Sequence, residues 1–297
     1  MMPRWFIWTL IAIFCWGIWA VLSKAVALNA TQVQIYSTAG MVPVIALLAF
    51  SSKVRAEKHL TVGIILAFVA GLLACFGNFA YYTILEMEKA SAAVPLTALY
   101  PLVTILLAVL FLRERLNFIQ ILGVALSLAA IYFFNIQKEP GYFLQWLAPI
   151  LLPMFFWGVA GFAQKLATFK VSGEVATLYF LLAFVPFVPF IAFVFPMGTA
   201  PSLVAGLTAK NLMLMILQGL ALALGNWACL LAFAYGGKAS IITPITALYP
   251  IISIPIAILG FGERPSLRES IGIILALVAV VAISIESKAP IPESSTP

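Results

Sequence analysis

Ten stretches of about 20 apolar residues follow one another along this chain, with only short polar joints between them. They lie near residues 5–27, 32–50, 61–85, 91–112, 117–135, 143–166, 174–195, 210–235, 240–261 and 267–285. A stretch of roughly 20 apolar residues is what one bilayer crossing requires. Each is too long for a strand and lacks period-two alternation, so each is expected to be a helix. A helix also satisfies every backbone N–H and C=O within its own segment, as the hydrocarbon demands. In a chain of 297 residues these stretches leave no room for a separate soluble domain. The composition agrees, with 64% apolar and 9% charged residues against roughly 45–50% and 25% for soluble domains. The expected fold class is an all-α polytopic membrane protein of ten transmembrane helices. The first stretch ends without a small-residue cleavage site, so it reads as a span and not as a removable signal.

The ionisable residues exclude several chemistries. All ten acidic residues are Glu, and the single histidine, His59, lies in a loop and is given no role. An aspartyl intramembrane protease needs two Asp, and a metal site needs clustered His, Cys or acid ligands. Neither can be assembled, and no cofactor or metal is expected. Cys15, Cys75 and Cys229 fall inside apolar stretches and read as buried thiols. The net charge of +6 is spread singly between apolar stretches, which argues for topology and against nucleic acid. With the N-terminus inside, Arg4, Lys53, Arg55, Lys58, Arg113, Arg115, Lys165, Lys170, Lys238 and Lys288 are internal. The external set is Lys24, Lys89, Lys138, Lys210, Arg264 and Arg268, so ten of the 16 lie within. Both termini are therefore expected on the cytoplasmic side of the cell's inner membrane, with a small-molecule substrate and the lipid bilayer as partners.

An internal duplication organises the chain. Lys89-Ala-Ser-Ala-Ala-Val-Pro-Leu-Thr-Ala-Leu-Tyr-Pro101 matches Lys238-Ala-Ser-Ile-Ile-Thr-Pro-Ile-Thr-Ala-Leu-Tyr-Pro250 at nine of thirteen positions, 149 residues apart. The same offset carries Glu114-Arg115 onto Glu263-Arg264 and Gly123 onto Gly272; these Glu-Arg pairs read as capping and interface charges. At 148, Gly71, Gly77 and Asn78 map onto Gly219, Gly225 and Asn226; at 141, Trp16-Gly17 and Lys24 map onto Trp157-Gly158 and Lys165. Residues 1–138 and 139–287 are thus expected to be two five-helix repeats, and 288–297, rich in Pro and Ser, a disordered tail. Five is odd, so the second repeat enters the membrane from the opposite side. Inverted repeats of this kind place a substrate site near the midplane, at their interface. One chain then encloses the cavity, so a monomer suffices.

The order of these pieces over residues 5–287 resembles the EamA-like family of the drug/metabolite transporter superfamily. The residues that carry the resemblance are the two Trp-Gly pairs, the two Pro-containing fourth helices, and the Glu-Arg loops leading to Gly123 and Gly272. The resemblance implies ten helices, cytoplasmic termini, a central cavity lined by the first, third and fourth helices of each unit, and peripheral fifth helices. It also implies a small-metabolite cargo, such as an amino acid or a nucleotide-sugar or sugar-phosphate compound, without naming one.

Four sets of residues are candidates for the site. Thr97, Tyr100 and Thr104 share a helical face, and Thr246, Tyr249 and Ser253 repeat it. Pro101 lies about 15 Å into its helix at roughly 1.5 Å per residue, and Pro250 equally; each removes an N–H and opens the helix there. The stripe suits a hydrogen-bonding lining, or ordinary helix–helix adhesion. Asn78, with Tyr82 on its face, and Asn226, beside Trp227, offer amides to a polar solute or to a neighbouring helix. Trp16, Trp19 and Trp157 suit an aromatic wall around an amphipathic or cationic ligand, or interfacial anchoring. Lys24 and Lys165 bind an anion if they point inward and otherwise reach the headgroups.

No acid lies in the interior of an apolar stretch, since Glu86, Glu88 and Glu174 are at edges, whereas proton- or sodium-coupled antiporters usually need an intramembrane carboxylate. Facilitated movement, exchange, or coupling through the substrate's own charge is favoured. The expected function is alternating-access transport, in the export direction, of a small solute such as an amino acid. Efflux of lipophilic cations is the second reading. A membrane-embedded enzyme acting on lipid is the third, and no nucleophile–base pair supports it.

Overall fold

The computed structural model describes residues 3–26, 28–57, 61–112, 116–135, 142–194 and 206–285, all of it helix or connection, with no strand among the described residues. The first half contains α1 (Arg4–Leu22), α2 (Ala30–Ala49), α3 (Ser52–Ala56), α4 (Thr61–Met87), α5 (Ala90–Thr97), α6 (Pro101–Leu112) and α7 (Phe118–Asn135). The second contains α8 (Tyr142–Thr168), α9 (Gly173–Leu182), α10 (Phe184–Val194), α11 (Ala209–Ala234), α12 (Ala239–Thr246), α13 (Pro250–Phe261) and α14 (Leu267–Ser284). Nine helical runs among the described residues are long and apolar enough to cross a membrane, and Phe118–Phe133 is a shorter apolar helix. Glu114-Arg115, His59, Lys138 and the 288–297 tail lie outside the described residues.

Polar residues at the joints start the helices. Asn29 and Gln32 close a reciprocal capping box on α2, and Ser266 and Glu269 do the same on α14. Ser172 and Thr208 cap α9 and α11. Alpha-1 ends at Leu22, five residues before the apolar stretch does, because Ser23 and Lys24 form a turn. The α3 helix was not apparent in the sequence; five residues leave too little periodicity to read. Leu, Ile and Phe side chains project outward from most spans, among them Phe14, Leu110, Phe193 and Leu259. Such a belt suits hydrocarbon, not water.

The packing is reciprocal between the halves. Alpha-1 lies against α11, and α4 against α8; α2 lies against α11, and α9 against α4. Alpha-13 crosses α1 as α6 crosses α8, and the final helices α7 and α14 pack on each other. The Trp-Gly pairs permit two of these close crossings. A Cβ on Gly17 would lie 2.7 Å from Ile252 Cβ, and one on Gly158 2.9 Å from the Tyr100 carbonyl. Small residues let backbones approach where lipid supplies no hydrophobic drive for helix association.

Candidate functional site

Each of the two Pro-containing spans is broken immediately before its proline. Between α5 and α6, Tyr100 N–H donates to the Thr97 carbonyl at 3.1 Å and Val103 N–H to the Tyr100 carbonyl at 3.1 Å. Between α12 and α13, Tyr249 N–H donates to the Thr246 carbonyl at 3.3 Å and Ile252 N–H to the Tyr249 carbonyl at 3.0 Å. These are three-residue bonds, the tighter winding that a missing proline N–H leaves available. Pro101 and Pro250 therefore end one helix and start another, and Tyr100 and Tyr249 sit in the two breaks. Across the interface, Tyr100 Oη lies 3.3 Å from Thr246 Oγ1 and donates to the Thr243 carbonyl at 3.4 Å. Tyr249 faces Thr97 from the corresponding position, yet its hydroxyl lacks a hydrogen bond of full geometry. Thr97 Oγ1 instead donates back to the Ala93 carbonyl at 2.8 Å.

The Trp-Gly and Gly-Asn elements meet across the repeats. A Cβ on Gly77 would lie 2.5 Å from Trp157 Nε1, and one on Gly225 would lie 2.6 Å from Trp16 Nε1. Each tryptophan thus covers the glycine that precedes the other repeat's asparagine. Trp157 Nε1 donates to Asn78 Oδ1 at 2.9 Å. On the other side Asn226 Nδ2 donates to the Leu222 carbonyl of its own helix at 2.8 Å, and Trp16 Nε1 has no partner. Trp19 joins the two sides, with ring centroids 5.8 Å from Trp157 and 6.4 Å from Tyr249. Tyr81, fully buried 5.1 Å from Trp19 and 5.4 Å from Trp157, completes this aromatic wall.

These groups enclose a chamber at the contact of the two halves. Of the residues singled out in the sequence, Trp16, Trp19, Asn78, Tyr100, Trp157, Asn226, Thr246 and Tyr249 line it. Thr243, Gln164, Gly161, Cys229, Phe180 and Phe233 line it as well and were not foreseen. Phe180 comes from α9, a second helix of its unit, outside the first, third and fourth helices that the resemblance implied. Thr243 was missed because its counterpart, Val94, is apolar, and Gln164 because its counterpart, Ser23, lies at the end of its helix. The chamber has about 60 Å³ open to the centres of water molecules, at roughly 10–15 Å³ per water enough for a few of them. A metabolite needs more, so loading requires the helices to part.

The remaining candidates lie elsewhere. Tyr82 Oη accepts from Trp19 Nε1 and from Gln218 Nε2, both at 3.0 Å, and Ser37 bonds it too. Gln218 Nε2 also donates to Ser23 Oγ at 2.9 Å. This buried network ties α1 and α4 of the first half to α11 of the second, beside the chamber. Thr104 donates to the Gly158 carbonyl at 2.9 Å, and Ser253 to the Tyr249 carbonyl at 3.5 Å. Trp227 faces a different hollow, with Pro43 and Leu47. Lys24 Nζ donates to the carbonyls of Leu85 and, at 3.0 Å, Glu88. Lys165 Nζ donates to Gly237 O at 2.8 Å and Phe233 O at 3.4 Å, and lies 4.7 Å from the Phe169 ring centroid. Both lysines thus neutralise the C-terminal end of a third span, where carbonyls point outward and the helix dipole is negative.

Electrostatically the chamber is free of fixed charge: no Glu, Lys or Arg lines it. The carboxylates serve helix starts. Glu263 accepts from the N–H groups of Ala90 and Ser91 at 3.0 and 2.8 Å, which are orphan donors at the beginning of α5. Glu57 accepts from Ser172 N–H at 2.8 Å, and Glu86 from Ala30 N–H. Among the described residues no three His, Cys or acid side chains gather as metal ligands would.

The model of the EamA-like transporter family matches residues 3–136 and again residues 144–285. An uncharacterized protein of Methanocaldococcus jannaschii is 33% identical over 72 residues, which is 24% of this chain and 53% of that protein. The chain thus spans about half the length of that relative. A solved crystal structure of another protein superposes with a TM-score of 0.65 over 95% of this chain and 96% of its own, at 17% identity; the likeness is one of fold.

Proposed function

Since the chain belongs to the EamA-like transporter family and is a multi-pass membrane protein built from two repeats, we propose that it exports a small amphipathic metabolite, an amino acid or a similar solute, by alternating access. In this reading α7 is a tenth span, the repeats are inverted, and both termini are cytoplasmic at the inner membrane. The single observation that carries it is a chamber between the repeats, lined from both by corresponding Trp, Asn and Tyr residues. Polar side chains buried in hydrocarbon are unfavourable unless something uses them, and here they converge on one hollow.

With the N-terminus inside, Ser23, Tyr82 and Gln218 lie on the outer side of the chamber. Gln164, Phe233 and Thr243 lie on its inner side. In this reading the outer path is closed by a side-chain network that crosses the repeats, and the inner path by Lys165 on the Phe233 and Gly237 carbonyls and by Tyr100 on the Thr243 carbonyl. A solute arriving from the cytoplasm would enter by parting α8, α11 and α12, and the outer network would break as it leaves.

Purified protein in liposomes loaded with labelled amino acids tests the reading. Release should saturate with concentration. Tyr100→Ala and Tyr249→Ala should each slow it by about tenfold or more, equivalent to roughly 1.4 kcal/mol in the barrier, while the melting curve stays cooperative. Wild-type rates in both variants would remove the chamber from the transport path.

A further inference from the structure

Eight buried side-chain nitrogen or oxygen atoms among the described residues lack a hydrogen-bond partner, and four of them line the chamber. They are Trp16 Nε1, Asn78 Nδ2, Thr243 Oγ1 and Tyr249 Oη. The residues Asn78, Thr243 and Tyr249 are each at most 3% exposed. An indole nitrogen donates only, and an amide nitrogen donates only; a hydroxyl donates one proton. All four free groups therefore offer hydrogen.

Two of the acceptors at the same place are engaged. Asn78 Oδ1 takes the Trp157 N–H at 2.9 Å. The Thr243 carbonyl receives Thr246 Oγ1 at 3.0 Å and Tyr100 Oη at 3.4 Å. No carboxylate lines the wall. Four donors therefore stand without partners in the wall of a chamber that has room for only a few water molecules. Buried donors without partners are rare in native proteins and call for an explanation. A ligand that brings oxygen acceptors supplies one.

We propose that this chamber recognises a carboxylate, held by Trp16, Asn78, Thr243 and Tyr249, with the apolar body of the solute against Trp19 and Trp157. This rests on reading the chamber as the substrate site, and it makes that site selective for an anionic oxygen acceptor over an ammonium. A carboxylate accepts about four hydrogen bonds and is stabilised by them in a low-dielectric cavity without a fixed counter-charge. An ammonium brings only donors, and the Trp16 and Asn78 nitrogens cannot accept from it.

Three probes share one benzyl body: phenylacetate, phenylacetamide and phenethylamine. Binding to the purified full-length protein in detergent is read by tryptophan fluorescence, since three tryptophans line the site. Phenylacetate should bind about tenfold or more tighter than phenethylamine, the ratio that one charge-assisted hydrogen bond supplies. Phenylacetamide should fall between them. In the Tyr249→Phe, Thr243→Val double variant, which keeps both shapes, the ratio should fall below about threefold. Asn78→Asp replaces a donor by an acceptor and should invert the order.

Equal or tighter binding of phenethylamine to the wild type overturns the proposal. So does an unchanged ratio in the hydroxyl-free variant, and so does the lack of saturable binding by all three probes. The readout needs no flux. The expected binding order without any liposome transport would defeat the transport reading and leave the site standing. Saturable transport with the reverse binding order would do the opposite.

Discussion

The two repeats bring the same Trp, Gly and Asn to the chamber and finish them differently. On one side Trp157 donates to Asn78, and the two helices that carry them, α8 and α4, are joined at that point. On the other, Trp16 covers Gly225 in the same manner, yet Asn226 turns to its own helix and the indole N–H is left free. The polar network repeats the contrast. Ser23, Tyr82 and Gln218 bond one another across α1, α4 and α11, whereas the corresponding positions hold Gln164, Leu230 and Ala70 and can make no such ring. Duplication has kept the backbone and the residues that set helix crossings. Divergence has fallen on the side chains: one side of the chamber carries the Ser23–Gln218–Tyr82 network and the other does not.

The largest test of that contrast is Tyr82→Phe. It deprives Trp19 and Gln218 of their shared acceptor while the ring remains, and two buried donors without a partner should lower stability by about 2 kcal/mol. Thermal unfolding in detergent measures this, and a conservative change at the opposite position, Leu230→Met, should move the midpoint far less. A labelling experiment sharpens it: in Tyr82→Phe, a cysteine placed at Ser23 should react faster with an external membrane-impermeant thiol reagent than in the parent Ser23→Cys protein. Equal rates would mean that the network does not hold the outer path.

A smaller effect is expected at the asparagines. A double-mutant cycle of Trp157→Phe with Asn78→Leu should give a coupling of about 1 kcal/mol, as bonded neighbours do. The matching cycle of Trp16→Phe with Asn226→Leu should give a coupling near zero, because no bond joins that pair. Comparable couplings would erase the asymmetry.

The smallest effect concerns the lysines, where the two halves agree. Lys24→Met and Lys165→Met should each lower stability by about 0.5 kcal/mol, the scale of a cation at a helix C-terminus, and should leave the binding order of the three benzyl probes unchanged. A lost preference for phenylacetate in either variant would place that lysine in the chamber.

The spans could be read from the sequence to within a few residues, except at α1, where Ser23 and Lys24 turn the chain before the apolar stretch ends. The breaks before Pro101 and Pro250 were also legible, because a proline cannot donate and its helix must rewind around the loss. Eight of the twelve residues proposed for the cavity do line it. Tyr82 and Trp227 share apolar helices with lining residues, but a helix has several faces, and periodicity alone does not say which neighbour each will meet. Thr243 and Gln164 escaped notice for a related reason. The counterpart of Thr243 is the apolar Val94, and that of Gln164 is a serine at a helix end, so a search for identical polar residues in both repeats passes over them.

The sequence alone determined that this chain lies in a membrane, that it is helical, that it is doubled, and where two of its helices break. Those properties follow from local chemistry: apolar length, backbone satisfaction and the missing N–H of proline. Only the tertiary structure decided the partners. Tyr82 and Gln218 are 136 residues apart, and Trp157 and Asn78 are 79 apart. Which of two equivalent tryptophans finds an acceptor depends on how its indole is seated at a helix crossing, which no spacing along the chain encodes.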